Sequence, residues 1–156
     1  MHEFHASPWL SNSQSLLAHM NQVTCSGGAT QIARLLTHYC QAGSANTPVR
    51  GLVFVGDACE ESPRTLIDLA GRCRLLNQPL FMFQEGHDAT VASIFKEMAA
   101  LSGGAYAPFD NSSASYLGEL LGAVARYATG GRLALSRSAR DGDKLLLAQM
   151  PGNEER

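Results

Sequence analysis

Two oxygen-bearing side chains lie at predicted strand-to-helix turns, where a ligand could bind. Asp57 follows the apolar run 52–55, and Thr30 follows the pair Gly27-Gly28 at the start of a helical pattern. Carboxylate and hydroxyl oxygens are ligands for a hard cation such as Mg²⁺. A Gly-Gly loop before a helix also exposes backbone N–H groups and the positive end of the helix dipole, which favour an anion. Asp57 has the simpler alternative role of capping the helix that follows.

The run Leu52–Val55 predicts a strand buried on both faces, because it is short, apolar and rich in β-branched and aromatic residues. Ligands of open α/β sheets bind at the carboxyl ends of the strands. Right-handed crossovers place those ends along one edge of the sheet. We therefore expect the side chains of Thr30 and Asp57 to lie within a few ångströms of each other.

Strand and helix patterns alternate along the rest of the chain, which predicts an α/β fold with a Rossmann-like, mainly parallel sheet flanked by helices. Residues 1–9 resemble the end of a strand. Further strands are predicted at 52–55, 80–83 and 105–109, and helices at 11–20, 32–39, 63–70, 91–101 and 116–128. Gly103-Gly104 and Gly130-Gly131 are expected to end the last two helices. Glu60 and Glu61 would lie near the positive end of the helix that begins at Pro63. Residues 1–132 form the predicted domain, and 133–156 a C-terminal extension with a loose tail.

The composition excludes several classes of protein. The 156 residues are 45% hydrophobic and 17% charged, with 12 Lys and Arg against 14 Asp and Glu. This balance argues against a disordered chain, and the absence of a basic cluster argues against nucleic-acid binding. No apolar run reaches the length of a membrane span, and no signal-peptide pattern opens the chain. A cytoplasmic protein without membrane contact is expected.

The cysteines of the chain show neither a Cys-x-x-Cys pair nor zinc-ligand spacing with histidine. They are Cys25, Cys40, Cys59 and Cys73. Each lies in or beside an apolar segment, which predicts reduced and buried thiols. Cys59 follows Asp57 closely, so its reactivity is the one of interest.

Three segments in this order resemble the von Willebrand factor type A (vWA) domain, and in particular its bacterial cytoplasmic members. They are SGGATQIARLL, VFVGDACEE, and FMFQEG with the following FKEMAALSGGAYAPFD and LGELLGAVARYA. The resemblance covers roughly residues 25–131. It implies a protein-interaction module without enzymatic activity, which binds a partner at the top edge of the sheet.

In that family a metal-ion-dependent adhesion site holds Mg²⁺ with three loops. The resemblance assigns the threonine of the second loop to Thr30 and the aspartate of the third to Asp57. An acidic side chain of the partner would complete the metal shell. Gly27, Gly28, Glu60 and Glu61 are the expected partner contacts beside the metal.

The first metal loop of the family, Asp-x-Ser-x-Ser, has no counterpart before residue 25, so the resemblance implies that the first strand is missing. The segment from Asp110 to Ala114 matches this loop imperfectly, because Ala114 stands where the motif has its second Ser. The metal site would therefore be incomplete, and Mg²⁺ binding weak. The strand 52–55 would have an unpaired side, through which the chain could form a homo-oligomer.

Two other functions remain open. The segment Ser26–Gln31 resembles the phosphate loop of ATP-using enzymes of the pyrophosphatase-loop type, although Thr30 and Gln31 replace the expected Asp and Ser. A structural module that has lost its metal is the other alternative. A Ser-His-Asp hydrolase is not supported, because the chain has no Gly-x-Ser-x-Gly motif.

Overall fold

Three parallel strands form the sheet, and helices cover both of its faces. The computed structural model describes residues 4–24, 27–110 and 112–152. The strands are β1 (Leu52–Gly56), β2 (Leu80–Glu85) and β3 (Ala105–Phe109), in the spatial order β1-β2-β3. The helices within the described ranges are α1 (Ser13–Met20), α2 (Ile32–Ala42), α3 (Pro63–Leu75), α4 (Ala89–Ser102), α5 (Ala114–Ser136) and α6 (Asp141–Gln149). The predicted α/β class with a parallel sheet is confirmed.

The middle strand β2 separates two hydrophobic clusters. Leu80 and Met82 point to one face, where they pack with residues of α2, α3 and α4. Phe81 and Phe83 point to the other face, where they pack with residues of β3, α5 and α6. Successive side chains of a strand point to opposite faces, so a continuously apolar strand requires a cover on both sides.

The turn between α4 and β3 depends on the glycine pair that the sequence pattern marked as a helix stop. Gly103 ends α4 with φ 84°, in the left-handed region that favours glycine. A Cβ atom on Gly104 would lie 1.9 Å from the carbonyl oxygen of Leu80. Gly104 therefore lets the start of β3 approach β2 closely.

The C-terminal part of the chain is more helical than the sequence pattern predicted. The helix expected at 116–128 forms the first part of α5. Gly131, with φ 64° and ψ −163°, separates it from a second helical segment that ends at Ser136. The prediction that the helix ends at the pair Gly130-Gly131 is confirmed, because the backbone of Gly131 is not helical. The second helical segment, after Gly131, buries Leu135 in the core. Residues 141–143 form the first turn of α6. None of the described helices is both long and apolar enough to cross a bilayer.

The described part of the N-terminal segment does not contain the predicted strand end. Residues 1–3 lie outside the described ranges, and residues 4–9 form no strand. Phe4 instead packs edge-on against the ring of His38 on α2. The helix expected near residues 11–20 is present as α1, but its apolar residues Leu16, Leu17 and Met20 are exposed.

The described cysteines are free thiols, as expected. Cys73 is buried, whereas Cys40 and Cys59 are partly buried; Cys25 lies outside the described ranges. The sulfur atoms of Cys40 and Cys73 are 3.6 Å apart. Burial and the contact with Cys40 raise the pKa of Cys73 to about 12. Cys73 therefore stays protonated at neutral pH.

A partly buried ion pair joins α5 to α6. The Asp143 side chain is fully buried, and Arg126 donates two hydrogen bonds of 2.8 Å to its two carboxylate oxygens. Burial raises the pKa of Asp143, but the hydrogen bonds from Arg126 and Ser138 outweigh it and hold this pKa below its ordinary value. The pair therefore stabilises the fold above the unfolded-state pKa, and this stabilisation is lost as the pH falls.

We predict that Asp143→Asn lowers the free energy of unfolding by about 1–3 kcal/mol at neutral pH, because the charge-assisted hydrogen bonds are lost. Urea denaturation measures this loss. The difference from the wild type should shrink as the pH falls below about 3.9, where the wild-type carboxylate also becomes protonated. Asp141→Asn, at an exposed position on the same helix, is the control. An equal loss in both variants would contradict the prediction.

Candidate functional site

The loop before α2 contacts the loop that leaves β1. The Thr30 hydroxyl donates a hydrogen bond of 2.7 Å to Glu60 Oε2, and the Thr30 N–H donates to the same oxygen at 3.0 Å. Thr30 is partly buried and Glu60 is exposed. The two predicted loops therefore meet beside the carboxyl end of β1.

The second carboxylate of this loop, Glu61, caps the N-terminus of α2. The backbone N–H groups of Ile32 and Ala33 both donate to Glu61, the second at 3.0 Å. The N-cap residue Gln31 makes no capping hydrogen bond with its own side chain. A negative charge is favourable at this end of a helix because the first N–H groups have no partner within the helix.

Glu60 and Glu61 directly precede the N-cap of α3, near the end of the helix where they were predicted. The first turn of α3 contains no acidic residue, and its N-cap is Ser62. The carboxylates of both glutamates accept hydrogen bonds from residues 30–33. Neither α2 nor α3 has a hydrogen bond from its own N-cap side chain, and Glu61 accepts from the first N–H groups of α2.

Asp57 lies exposed after the last residue of β1. The alternative that it caps α3 is excluded, since the N-cap of that helix is Ser62, five positions further along the chain. Within the described residues, no hydrogen bond or ion pair involves its carboxylate. The expected short distance between the Asp57 and Thr30 side chains stays a prediction. The observed partner of Thr30 is Glu60, three residues further along the same loop.

The donor chemistry of the two loops fits a hard cation. The hydroxyl of Thr30 and the carboxylates of Asp57 and Glu60 are oxygen ligands, which Mg²⁺ prefers. Within the described ranges, however, no three His, Cys, Asp or Glu side chains gather closely enough to hold a metal ion. An ion at this edge would therefore keep several water ligands.

Gly27 and Gly28, the glycines expected to contact a partner, are both exposed. A Cβ atom on Gly27 would meet nothing within 4 Å. Packing within this chain therefore does not require a glycine at position 27. Whether a partner approaches these residues stays a prediction.

Cys59 is in an environment that disfavours a reactive thiolate. Burial raises its pKa, and the charges of Glu61 and Glu60 raise it further, although a backbone hydrogen bond from Glu61 lowers it. A thiol is a nucleophile only when it is deprotonated. The structure therefore gives Cys59 no activation at neutral pH.

Asp110, which begins the imperfect match to the first metal loop, accepts local hydrogen bonds. Asp110 accepts hydrogen bonds from the hydroxyl groups of Ser112 and Ser113 just before α5. These bonds, with the backbone N–H of Ser112, hold the pKa of Asp110 below its ordinary value. Asn111 lies outside the described ranges. The serines therefore stabilise the Asp110 carboxylate, as expected for residues that begin a helix.

An open groove of about 690 Å³ lies between α2 and α3, where Phe4, Arg34, His38, Asp68 and Arg72 line it. None of the predicted site residues lines this groove. The predicted site residues at the sheet edge and this groove are therefore in different places.

Comparisons with protein-family models, curated proteins and solved structures found no match for this chain. The vWA resemblance therefore stays a prediction based on the quoted segments.

We predict that Glu61→Ala lowers the free energy of unfolding by about 0.5–2 kcal/mol, because two N–H groups of α2 lose their capping partner. Urea denaturation measures the change. Glu97→Ala removes an exposed carboxylate from α4 and serves as the control. A loss no larger than that of the control would contradict the capping role.

We also predict that the contact between the loops weakens in acid. The N–H and hydroxyl of Thr30 hold the pKa of Glu60 below its ordinary value. The contact is then complete above the unfolded-state pKa of about 4.3 and is lost as the pH falls through the lower folded-state pKa. The NMR shift of the Thr30 amide should follow this titration, and Glu60→Gln should abolish it. A midpoint at or above about 4.3 would contradict the assignment.

Proposed function

We propose that this chain is a non-enzymatic protein-interaction module, similar to a vWA domain, which binds a partner at the carboxyl edge of its sheet. The observation that carries the proposal is the bonded contact between Thr30 and Glu60. This contact joins the Gly-Gly loop to the loop that contains Asp57. The two loops thus form one surface at the edge where open α/β sheets bind ligands.

The negative charge of this surface suggests how a metal ion contributes to partner binding. Asp57 and Glu60 are exposed carboxylates, so an acidic side chain of a partner would be repelled without a cation between them. Weakly bound Mg²⁺, held by Thr30 and Asp57, would remove this repulsion. A carboxylate from the partner would then add one ligand to an incomplete shell.

The alternative of an ATP-binding enzyme has less support from the site. A phosphate at the Gly-Gly loop would need the N–H groups at the start of α2. Glu61 accepts hydrogen bonds from the N–H groups of Ile32 and Ala33, and Glu60 from that of Thr30. A nucleotide would have to displace two carboxylates and then lie close to their charges. This cost favours an interaction module.

The proposed location is the cytoplasm. The free described thiols support a reducing compartment. The metal-free structural module remains the alternative within the same class, and Mg²⁺ binding separates the two.

We predict that Mg²⁺ binds weakly and only when Asp57 is intact, because one carboxylate and one hydroxyl leave most of the ion's shell to water. Titration calorimetry and thermal melts with and without Mg²⁺ should show a small effect in the wild type and none in Asp57→Ala. Asp68→Ala, which removes an exposed carboxylate from α3, should behave as the wild type.

Each contrary outcome identifies a different function. A tight Mg²⁺ site that survives Asp57→Ala would contradict the metal assignment. The absence of any Mg²⁺ effect would favour the metal-free module. Tight binding of ATP in the same calorimeter would overturn the interaction module in favour of the nucleotide-binding enzyme.

A further inference from the structure

The two edges of the sheet differ in how their backbone groups are satisfied. At the β3 edge, the side chain of Gln149 on α6 acts as a substitute for a further strand. Its amide oxygen accepts from the Tyr106 N–H at 2.8 Å, and its amide nitrogen donates to the Tyr106 carbonyl at 2.8 Å. Covering an edge in this way prevents another strand from pairing with it.

The β1 edge has no such cover within the described residues. The N–H of Leu52 donates to the carbonyl of Pro79 at the start of β2. Backbone groups of successive strand residues point to alternate sides, so Leu52 and Phe54 are bonded toward β2. The N–H and C=O groups of Val53 and Val55 therefore point to the open side. This row of donors and acceptors is a template for another strand.

The composition of β1 favours pairing at this edge. The strand sequence LVFVG contains no charge and no proline, which are the usual means of blocking an edge strand. Val55 is 46% exposed, unusually high for an apolar residue of a parallel sheet. A strand added beside β1 would cover this side chain.

Charges on both flanks of β1 identify the occupant. Arg50 precedes the strand, Asp57 follows it, and both are exposed. No salt bridge involves either residue within the described ranges. A second β1 in antiparallel orientation brings the positive end of each strand beside the negative end of the other, whereas a parallel orientation would bring like charges together. The edge is therefore complementary to itself.

We propose that β1 pairs with β1 of a second copy of this chain, in antiparallel orientation, to form a six-stranded sheet across a two-fold axis. This interface goes beyond the proposed function, since it uses the side of the sheet rather than its carboxyl edge. A closed two-fold contact requires the same patch on both subunits. Only antiparallel pairing of the edge strands meets this requirement within one continuous sheet.

The register of the pairing follows from the alternation of faces. Residues opposite each other must point to the same face of the continuous sheet, so their numbers differ by an even count. The register centred on Phe54 overlaps all five residues of β1. It places Val53 opposite Val55 of the partner subunit, which pairs the outward N–H and C=O groups of both. It also places Asp57 of each copy beside the Arg50 end of the other.

The test is sedimentation velocity over a range of protein concentrations in the presence of EDTA, so that the metal proposed at Asp57 has no influence. A five-residue strand pair is a small interface, so we expect a reversible monomer–dimer equilibrium with a Kd on the order of micromolar. Val55→Lys should abolish the dimer, because the lysine would lie against Val53 of the partner subunit. Leu133→Lys, at an exposed apolar position on α5, should leave the dimer intact.

A charge swap tests the orientation. Arg50→Asp and Asp57→Arg each place like charges together and should weaken the dimer about tenfold or more. The double variant restores opposite charges and should return the Kd to within about threefold of the wild type. Circular dichroism confirms that each variant is folded.

Hydrogen exchange locates the interface without any substitution. The amides of Val53 and Val55 should gain protection as the protein concentration rises. The amide of Phe54, already bonded to β2, should not change. Any one of three results would overturn the proposal. They are a wild type that stays monomeric, a double variant that dimerises no more tightly than the single variants, and amide protection that does not change with protein concentration. A loss of Mg²⁺ binding alone would leave it unaffected.

Discussion

The middle strand β2 is buried on both faces, and the positions of the other elements follow from this constraint. Its residues from Leu80 to Gln84 have no exposed surface. Water cannot satisfy their backbone groups, so β1 and β3 must pair with them on both sides. The apolar side chains on the two faces likewise require helices above and below the sheet. This arrangement aligns the carboxyl ends of three parallel strands, where Asp57 lies exposed after β1.

Burial of β2 also explains a polar cluster inside the molecule. Gln84 is fully buried at the end of the strand, and its oxygen accepts a 2.7 Å hydrogen bond from the Tyr106 hydroxyl. Its nitrogen donates to the carbonyl of Asp88. The same Asp88 caps α4 through its side chain. Both halves of the buried amide are thus satisfied, as the cost of an unpaired polar group requires.

Of the acidic residues after β1, Glu60 and Glu61 make hydrogen bonds within the chain, whereas Asp57 makes none within the described residues. Glu61 neutralises the start of α2, and Glu60 fixes Thr30, so both carboxylates serve the fold as well as the surface. Asp57 has no such structural role and remains exposed to solvent. A residue without a structural role at the carboxyl edge of a parallel sheet is the most direct candidate for a ligand contact. This division makes Asp57 the informative position at the proposed site, whereas changes at Glu61 would act mainly through stability.

The sequence by itself determined the elements whose signals are local. The apolar run at 52–55, the glycines at 103–104 and the proline at 63 act on their own neighbours, and each marks a boundary in the structure. Tertiary structure alone decided the contacts between distant residues. Glu61 meets α2 some 28 residues away, and Gln149 meets Tyr106 at a separation of 43. It also decided that a second helical segment follows the break at Gly131, where Leu135 is buried in the core. Residue spacing carries no information on such pairs, because they form only once packing has brought unsatisfied backbone groups and a free side chain together.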